Sequence, residues 1–327
     1  MTIATGSTIL ATDYNSYVGG NPTTTSTMFN ATWATGGNTA GYGQTALANV
    51  AVAATVSAAE WANLTGKIGN CGSHQGSSGS FVSITTPVAG AVVSASGAAN
   101  IANIATNIST VYSNKLNSAS QGSTVGYANT RTGAWSNVLL FTHTATFANA
   151  DAARFFFNSG GQLLMTFSHS TGSAIDNIIN AIGTNMGTIV FSAPASGSIT
   201  AGGVAGYNGI TKVGGTLTPA PTVLSTNSGY YGLTNGANVS VFTQDAAGTG
   251  GYLDTFVNIT MKNNGSGLGS NGDNGSVITA YTTIDEVPNG LSVTSGTVCT
   301  MTVRPPESTY IANTWGTITV THSNSAV

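Results

Sequence analysis

A chain of 327 residues is long enough for one large or two medium domains with a real buried core. Only 5% of its residues are Asp, Glu, Lys or Arg, against about 25% in ordinary globular domains, and Gly, Ser, Thr, Asn and Ala take their place. With 41% hydrophobic residues and a net charge of −3 it is expected to fold, and its seven scattered basic residues make no phosphate-neutralising patch, which excludes nucleic acid as a partner.

The start, Met1-Thr2-Ile3-Ala4-Thr5-Gly6-Ser7, offers neither a basic n-region nor a long apolar stretch, which argues against a secretory signal peptide. No apolar run approaches the roughly 18–20 residues that cross a bilayer, so membrane insertion is not expected. Cys71 and Cys299 are far apart and give neither a disulfide framework nor zinc spacing; they read as free, passive thiols.

In chain order, Thr12 to Val18 has the length of two helical turns, with Gly19 as the left-handed stop. Gly41-Tyr42-Gly43-Gln44-Thr45 reads as a loop anchored by its aromatic ring, and Ala46 to Val56 as strand or extended arm, either partner-bound or part of the core. Ser57 and Glu60 form a capping box, each side chain satisfying an orphan backbone donor, and Val56 and Trp61 are placed for a hydrophobic staple. Trp61, Leu64 and Ile68 recur at helical spacing, predicting a helix over about 57–69 that Gly69 closes. After a Gly/Ser/Ala linker with one β-like segment, Phe81–Ile84, Asn100 caps a second helix over about 100–117. Its stripe is Ile101, Ile104, Ala105, Ile108, Val111, Tyr112 and Leu116, with Asn103, Thr106, Asn107 and Ser109 facing away.

From about residue 126 the period changes from 3.6 to 2. Trp135, Val138, Leu139, Leu140 and Phe141 start a buried strand that continues through Thr142 to Phe147, and Asn149 to Ala153 fits a single helical turn. The densest apolar stretch follows, with three of the eleven phenylalanines in a row behind one of three arginines, Arg154. Phe155, Phe156 and Phe157, then Leu163 to Phe167, read as two strands of a central hairpin turning at Gly160-Gly161 and covered on both faces. The cover is a helix from the cap Ser173 with Asp176, through Ile175, Ile178, Ile179 and Ile182, to Gly183. Thr188–Phe191 is a further strand. Beyond a Gly/Ser/Thr/Pro-rich passage over 193–229, strand candidates are Tyr230–Leu233, Val239–Gln244, Thr255–Lys262, Val277–Ile284, Thr297–Val303 and Gly316–Val320. The expected class is α+β, mainly β. An N-terminal arm with short helices over 1–125 serves oligomerisation or attachment, and an antiparallel β-sandwich with a covering helix spans 126–327.

Candidate chemistry is sparse. His143, Asp151 and Ser159 stand in chymotrypsin-like order, but within seventeen positions and without the Gly-Asp that precedes such a nucleophile, so no catalytic residue is assigned. His74, His143, His169 and His322 show no paired ligand spacing, Asp285 and Glu286 point to opposite strand faces, and Asp273 has too few acidic neighbours for calcium. No metal or cofactor is expected. Ten acids, mostly on loops, do not suggest a glycosidase pair. Trp33, Trp315 and Tyr310 read as packing residues before sugar platforms.

One motif is informative as a whole. Arg154-Phe155-Phe156-Phe157-Asn158-Ser159-Gly160-Gly161-Gln162 resembles a signature of virion structural proteins of tailed bacteriophages, especially phages of cyanobacteria and their marine relatives. In the same order come Asp13-Tyr14-Asn15, Gly41–Thr45, Glu60-Trp61 with Asn63-Leu64, His74-Gln75 and Gly229-Tyr230-Tyr231-Gly232-Leu233. Together they cover roughly residues 10–75 and 130–245; the pattern departs at Leu164, where a basic residue is common. The resemblance implies a particle component of tail, neck or fibre, without catalytic residues, made in a host cytoplasm and released by lysis. Its partners would be copies of itself, as trimer or hexamer, and other virion proteins. The alternatives are an adhesin for host-surface glycan, and a polysaccharide hydrolase acting through a carboxylate such as Asp254 or Glu307. Arg154 needs a carboxylate or an aromatic face; Asp151 and Asp176 are the nearest acids, and a salt bridge pinning the sheet is expected.

Overall fold

The computed structural model describes residues 10–88, 101–234, 236–246, 255–285, 287 and 291–326. The helices are α1 (Ala11–Val18), α2 (Asn30–Trp33), α3 (Ala58–Gln75), α4 (Ala102–Ser113), α5 (Ala150–Asn158) and α6 (Ala174–Met186). The strands are β1 (Val125–Arg131), β2 (Leu139–Thr146), β3 (Gln162–Ser168), β4 (Thr188–Phe191), β5 (Ile199–Ala201), β6 (Val204–Tyr207) and β7 (Ile210–Val213), followed by β8 (Val223–Leu224), β9 (Val239–Asp245), β10 (Phe256–Asn263), β11 (Val277–Asp285), β12 (Thr297–Arg304) and β13 (Thr319–Ala326).

Two antiparallel sheets pack face to face, in the mainly β, α+β architecture expected. One runs β1-β12-β3-β4-β7 and the other β13-β2-β11-β10-β9-β8. Alternation decides the faces: Leu139, Phe141, His143 and Ala145 of β2 are buried, as are Thr297, Cys299, Met301 and Val303 of β12. Between sheet edges, Asn129 of β1 donates to the carbonyl of Ser323 in β13 (2.7 Å) and accepts from the Asn324 amide (2.6 Å), so amides close a seam that no strand ladder crosses. β3 is buried on both faces: Met165 and Phe167 face the main core, while Leu164 joins Val190, Ile199, Ala201 and Tyr207 under the β5–β6 hairpin.

The expected hairpin at residues 153–167 is corrected. Phe155, Phe156 and Phe157 lie in α5, and only the second half is a strand. The Asn149 side chain accepts from the Ala152 N–H (2.8 Å) and Asp151 sits in the first turn, so cap and dipole favour helix. Ala152, Ala153, Phe156 and Phe157 then share the buried face at helical spacing. Gly160 and Gly161 close the helix, their N–H groups bonding the carbonyls of Phe157 and Phe156.

Other boundaries move for similar reasons. α3 continues past Gly69 to Gln75. α6 continues past Gly183, where a Cβ would stand 2.6 Å from the Phe167 carbonyl, so that glycine lets the helix lie close on β3. α4 is shorter than the expected 100–117, and Asn100 lies outside the described residues, as do Asp254 and Glu286. Phe81–Ile84 and Tyr230–Leu233 are not strands, and the 193–229 passage contains β5 to β8.

Residues of α1, α3 and α4 share one buried cluster with both sheets, so the N-terminal segment is core rather than a free arm. Much of it, from residue 34 to 57, is neither helix nor strand, and side-chain amides bond several of its backbone groups. Asn15 accepts from the Val50 N–H and donates to its carbonyl (both 2.8 Å); Asn30 does the same for Leu47 (3.0 and 2.9 Å) and also donates to Gly19. Gln44 clamps Ala312 and Asn107 clamps Val82 in the same two-point way. A carboxamide carries one acceptor and one donor side, the pattern of a β-bridge partner. Neutral amides thus fix irregular chain where salt bridges are scarce. Among the described residues no helix is long and apolar enough to cross a membrane.

Candidate functional site

The densest polar constellation surrounds Arg154, whose side chain is fully buried. Its Nε and Nη2 bond Asp151 Oδ1 (3.1 and 2.9 Å). Nη1 donates to the carbonyl of Ala40 and Nη2 to that of Thr35 (both 2.7 Å). The guanidinium also lies 4.8 Å over the Phe155 ring. Of the two expected acids Asp151 is the partner. What Arg154 pins, however, is α5 to the 35–40 segment rather than a sheet. Asp151, a third exposed, is completed by the Asn271 amide (3.2 Å).

One turn along α5, Asn158 donates to the Gly41 carbonyl (3.1 Å). Its Oδ1 lies 2.5 Å from the Tyr231 hydroxyl, which also stands 2.8 Å from the Asn38 carbonyl. Gly43, with φ of 69°, lies under the Phe155 ring, where a Cβ would meet it at 2.4 Å. Phe157 stacks on Tyr230 at 4.6 Å and meets Phe191 edge-on at 5.4 Å. Behind the turn, His74 Nε2 stands 3.2 Å from the Ser159 carbonyl. Burial pushes the pKa of His74 down to about 4, so the ring is neutral at pH 7 and donates there. Gln75 bonds the Tyr42 hydroxyl (2.7 Å), and Tyr14 meets Trp61 edge-on at 5.1 Å. The Ser57–Glu60 capping box is present, with N–H to side-chain distances of 2.6 and 3.2 Å.

The motif pieces scattered through the sequence therefore converge: 41–45, 74–75, 154–162 and 229–233 make direct contacts around α5, and 13–15 joins through Trp61 and α3. The chemistry there is cohesive. Apart from the unpartnered Ser159 hydroxyl and the partly exposed Asp151, its polar side chains are hydrogen-bonded to one another and turned inward.

The candidate triad is not assembled. Asp151 is held by Arg154, the Ser159 hydroxyl is buried without a hydrogen-bond partner, and His143 lies in β2. A hydroxyl–imidazole–carboxylate chain does exist elsewhere, and the sequence reading missed it. Thr297 Oγ1 accepts from Trp135 Nε1 (3.0 Å) and lies 3.0 Å from His169 Nδ1, and His169 Nε2 lies 3.1 Å from Asp176 Oδ1. Burial alone would raise the Asp176 pKa. Hydrogen bonds from Thr294, Ser173 and His169 outweigh it and hold the carboxylate below its usual range. Thr297 is fully buried, as Asp176 nearly is, so this chain ties α6 to β12 and presents no nucleophile. Glu307 caps its own turn at Thr309.

His143 and His322, unrelated by sequence spacing, face each other across β2 and β13 with ring centres 5.7 Å apart. Burial, then the neighbouring His322, pushes the His143 pKa down to about 4. Among the described residues no three His, Cys, Asp or Glu side chains converge to hold a metal ion, and both cysteines are buried and free. Two surface depressions stand out. A polar cleft of about 320 Å³ is lined by Thr23, Thr24, Asn38 and Asn271, and a more apolar groove of about 200 Å³ by Tyr127, Val303, Trp315 and Ile318. Set against family models, curated proteins and solved structures, the chain matches none.

Proposed function

We propose that this chain is a non-enzymatic structural component of a bacteriophage particle, belonging to the tail, neck or fibre apparatus and assembling as a symmetric trimer or hexamer. The observation that carries the reading is the convergence at α5. The sequence pieces resembling virion structural proteins meet in one largely buried network whose donors and acceptors, the Ser159 hydroxyl apart, mostly bind one another. Such a network fixes shape; it offers no group to a substrate. A surface poor in charge and rich in hydroxyls and amides suits packing against copies, since little repulsion opposes association.

The test is the native mass of the purified chain in solution over a range of concentrations. A single closed species of three or six copies supports the reading, and a monomer at every concentration opposes it. A second reading, a glycan-binding adhesin on the particle, draws on the groove lined by Tyr127 and Trp315. It predicts glycan binding that a Tyr127→Ala variant loses.

A further inference from the structure

β13 is the edge strand of its sheet, and its antiparallel register on β2 sets His322 directly opposite His143. Opposed residues share a face of the sheet, with Cβ atoms about 4.5–5.5 Å apart. The rings are centred 5.7 Å apart with their planes inclined by 44°. His143 is wholly buried and neither ring nitrogen meets full hydrogen-bond geometry, although the carbonyls of Tyr127 and Cys299 across the sandwich are close enough to favour its protonated form. A buried imidazole unsatisfied at both nitrogens is unfavourable unless something else takes up a lone pair. His322, by contrast, is exposed.

We infer that His143 and His322 form a binding site for one divalent transition-metal ion of the copper and zinc class. A tetrahedral ion about 2.1 Å from one nitrogen of each ring holds the ring centres roughly 5–6 Å apart. The observed spacing of 5.7 Å falls within that range. Two imidazoles without a nearby carboxylate favour copper, nickel and zinc over magnesium or calcium. Water fills the remaining positions on the exposed side. β13 contributes Val320 as its one buried residue, and its hold on β2 is otherwise the strand ladder. An ion bridging the strands would staple this edge and stabilise the folded chain by mass action.

The test is calorimetric titration of the untagged chain with Zn²⁺ and Cu²⁺, Mg²⁺ as control, with thermal unfolding followed in parallel. The expected result is one ion per chain, copper tighter than zinc, no magnesium binding, and a higher Tm with zinc. His322→Ala, an exposed change on an edge strand, should fold normally while losing roughly tenfold or more in affinity together with the Tm rise. Two-nitrogen coupling in the spectrum of bound Cu²⁺ should vanish in the same variant. Absence of zinc and copper binding in the native chain, or unchanged binding in His322→Ala, overturns the inference. His143→Phe, if it folds, must show the same loss.

Discussion

Replacing Arg154 by Met keeps the apolar stem that lies against Phe155 and removes every donor. Four hydrogen bonds disappear, two to Asp151 and one each to the carbonyls of Thr35 and Ala40. Each buried acceptor left bare costs about 1–3 kcal/mol, so the two carbonyls together account for about 2–6 kcal/mol. Breaking a wholly buried ion pair would add about 3–5 kcal/mol. Asp151 is a third exposed and keeps its bond from Asn271, so only a small part of that applies. A loss of about 3–5 kcal/mol follows, a large share of the roughly 5–15 kcal/mol that holds a typical domain. The damage should be local first: residues 35–43 come loose from α5 and the amide-clamped segment behind them becomes accessible. Urea unfolding gives the total, and limited proteolysis with peptide mapping locates it. Arg154→Lys should lie between, since an ammonium cannot span both carbonyls and Asp151 in the fork geometry. An unfolding free energy within about 0.5 kcal/mol of the native chain's, a change typical of an ordinary surface site, together with unaltered cleavage at residues 34–57, would refute the reasoning.

Other outcomes follow from the same contacts. Asn30→Ala removes three buried hydrogen bonds and should cost about 2–4 kcal/mol, with amide exchange accelerated at Leu47; normal protection there would argue against the clamp. Phe157→Ala empties the stack between Tyr230 and Phe191 and should cost about 3–5 kcal/mol by denaturant unfolding. His74 has its folded pKa lowered to about 4 from 6.5, so the unfolded chain binds the extra proton between those values. Stability should therefore fall as pH drops from about 6.5 to 4, by up to about 3 kcal/mol from this residue, and His74→Gln should flatten that slope. Thr297→Val leaves His169 Nδ1 and Trp135 Nε1 unpartnered and should destabilise by about 1–3 kcal/mol; an accompanying loss of a measurable hydrolytic turnover would contradict a structural role.

Local signals were legible in the sequence. The capping boxes at Ser57 and Ser173 begin α3 and α6, and alternation marked β2, β10, β11 and β12. Arg154 and Asp151, three residues apart, could be paired on proximity. Consecutive phenylalanines misled, because an apolar run without clear period suits helix or strand, and the Asn149 cap that decided it is a single residue. Gly69 and Gly183 were read as stops because glycine ends many helices, whereas Gly183 serves close packing against β3. Nothing local predicts that the carbonyls of Ala40 and Thr35, 114 and 119 residues upstream, would complete the Arg154 site. The amide clamps have no periodicity, and the His143–His322 and Thr297–His169–Asp176 contacts arise only when distant strands come into register.

The central claim, a structural role in a phage particle, is tested most directly by quantitative mass spectrometry of purified particles. The account predicts this chain at a fixed copy number, an integer multiple of three, retained through washing at high salt. Absence of the chain from intact particles, with all of it left in the lysate, would contradict it.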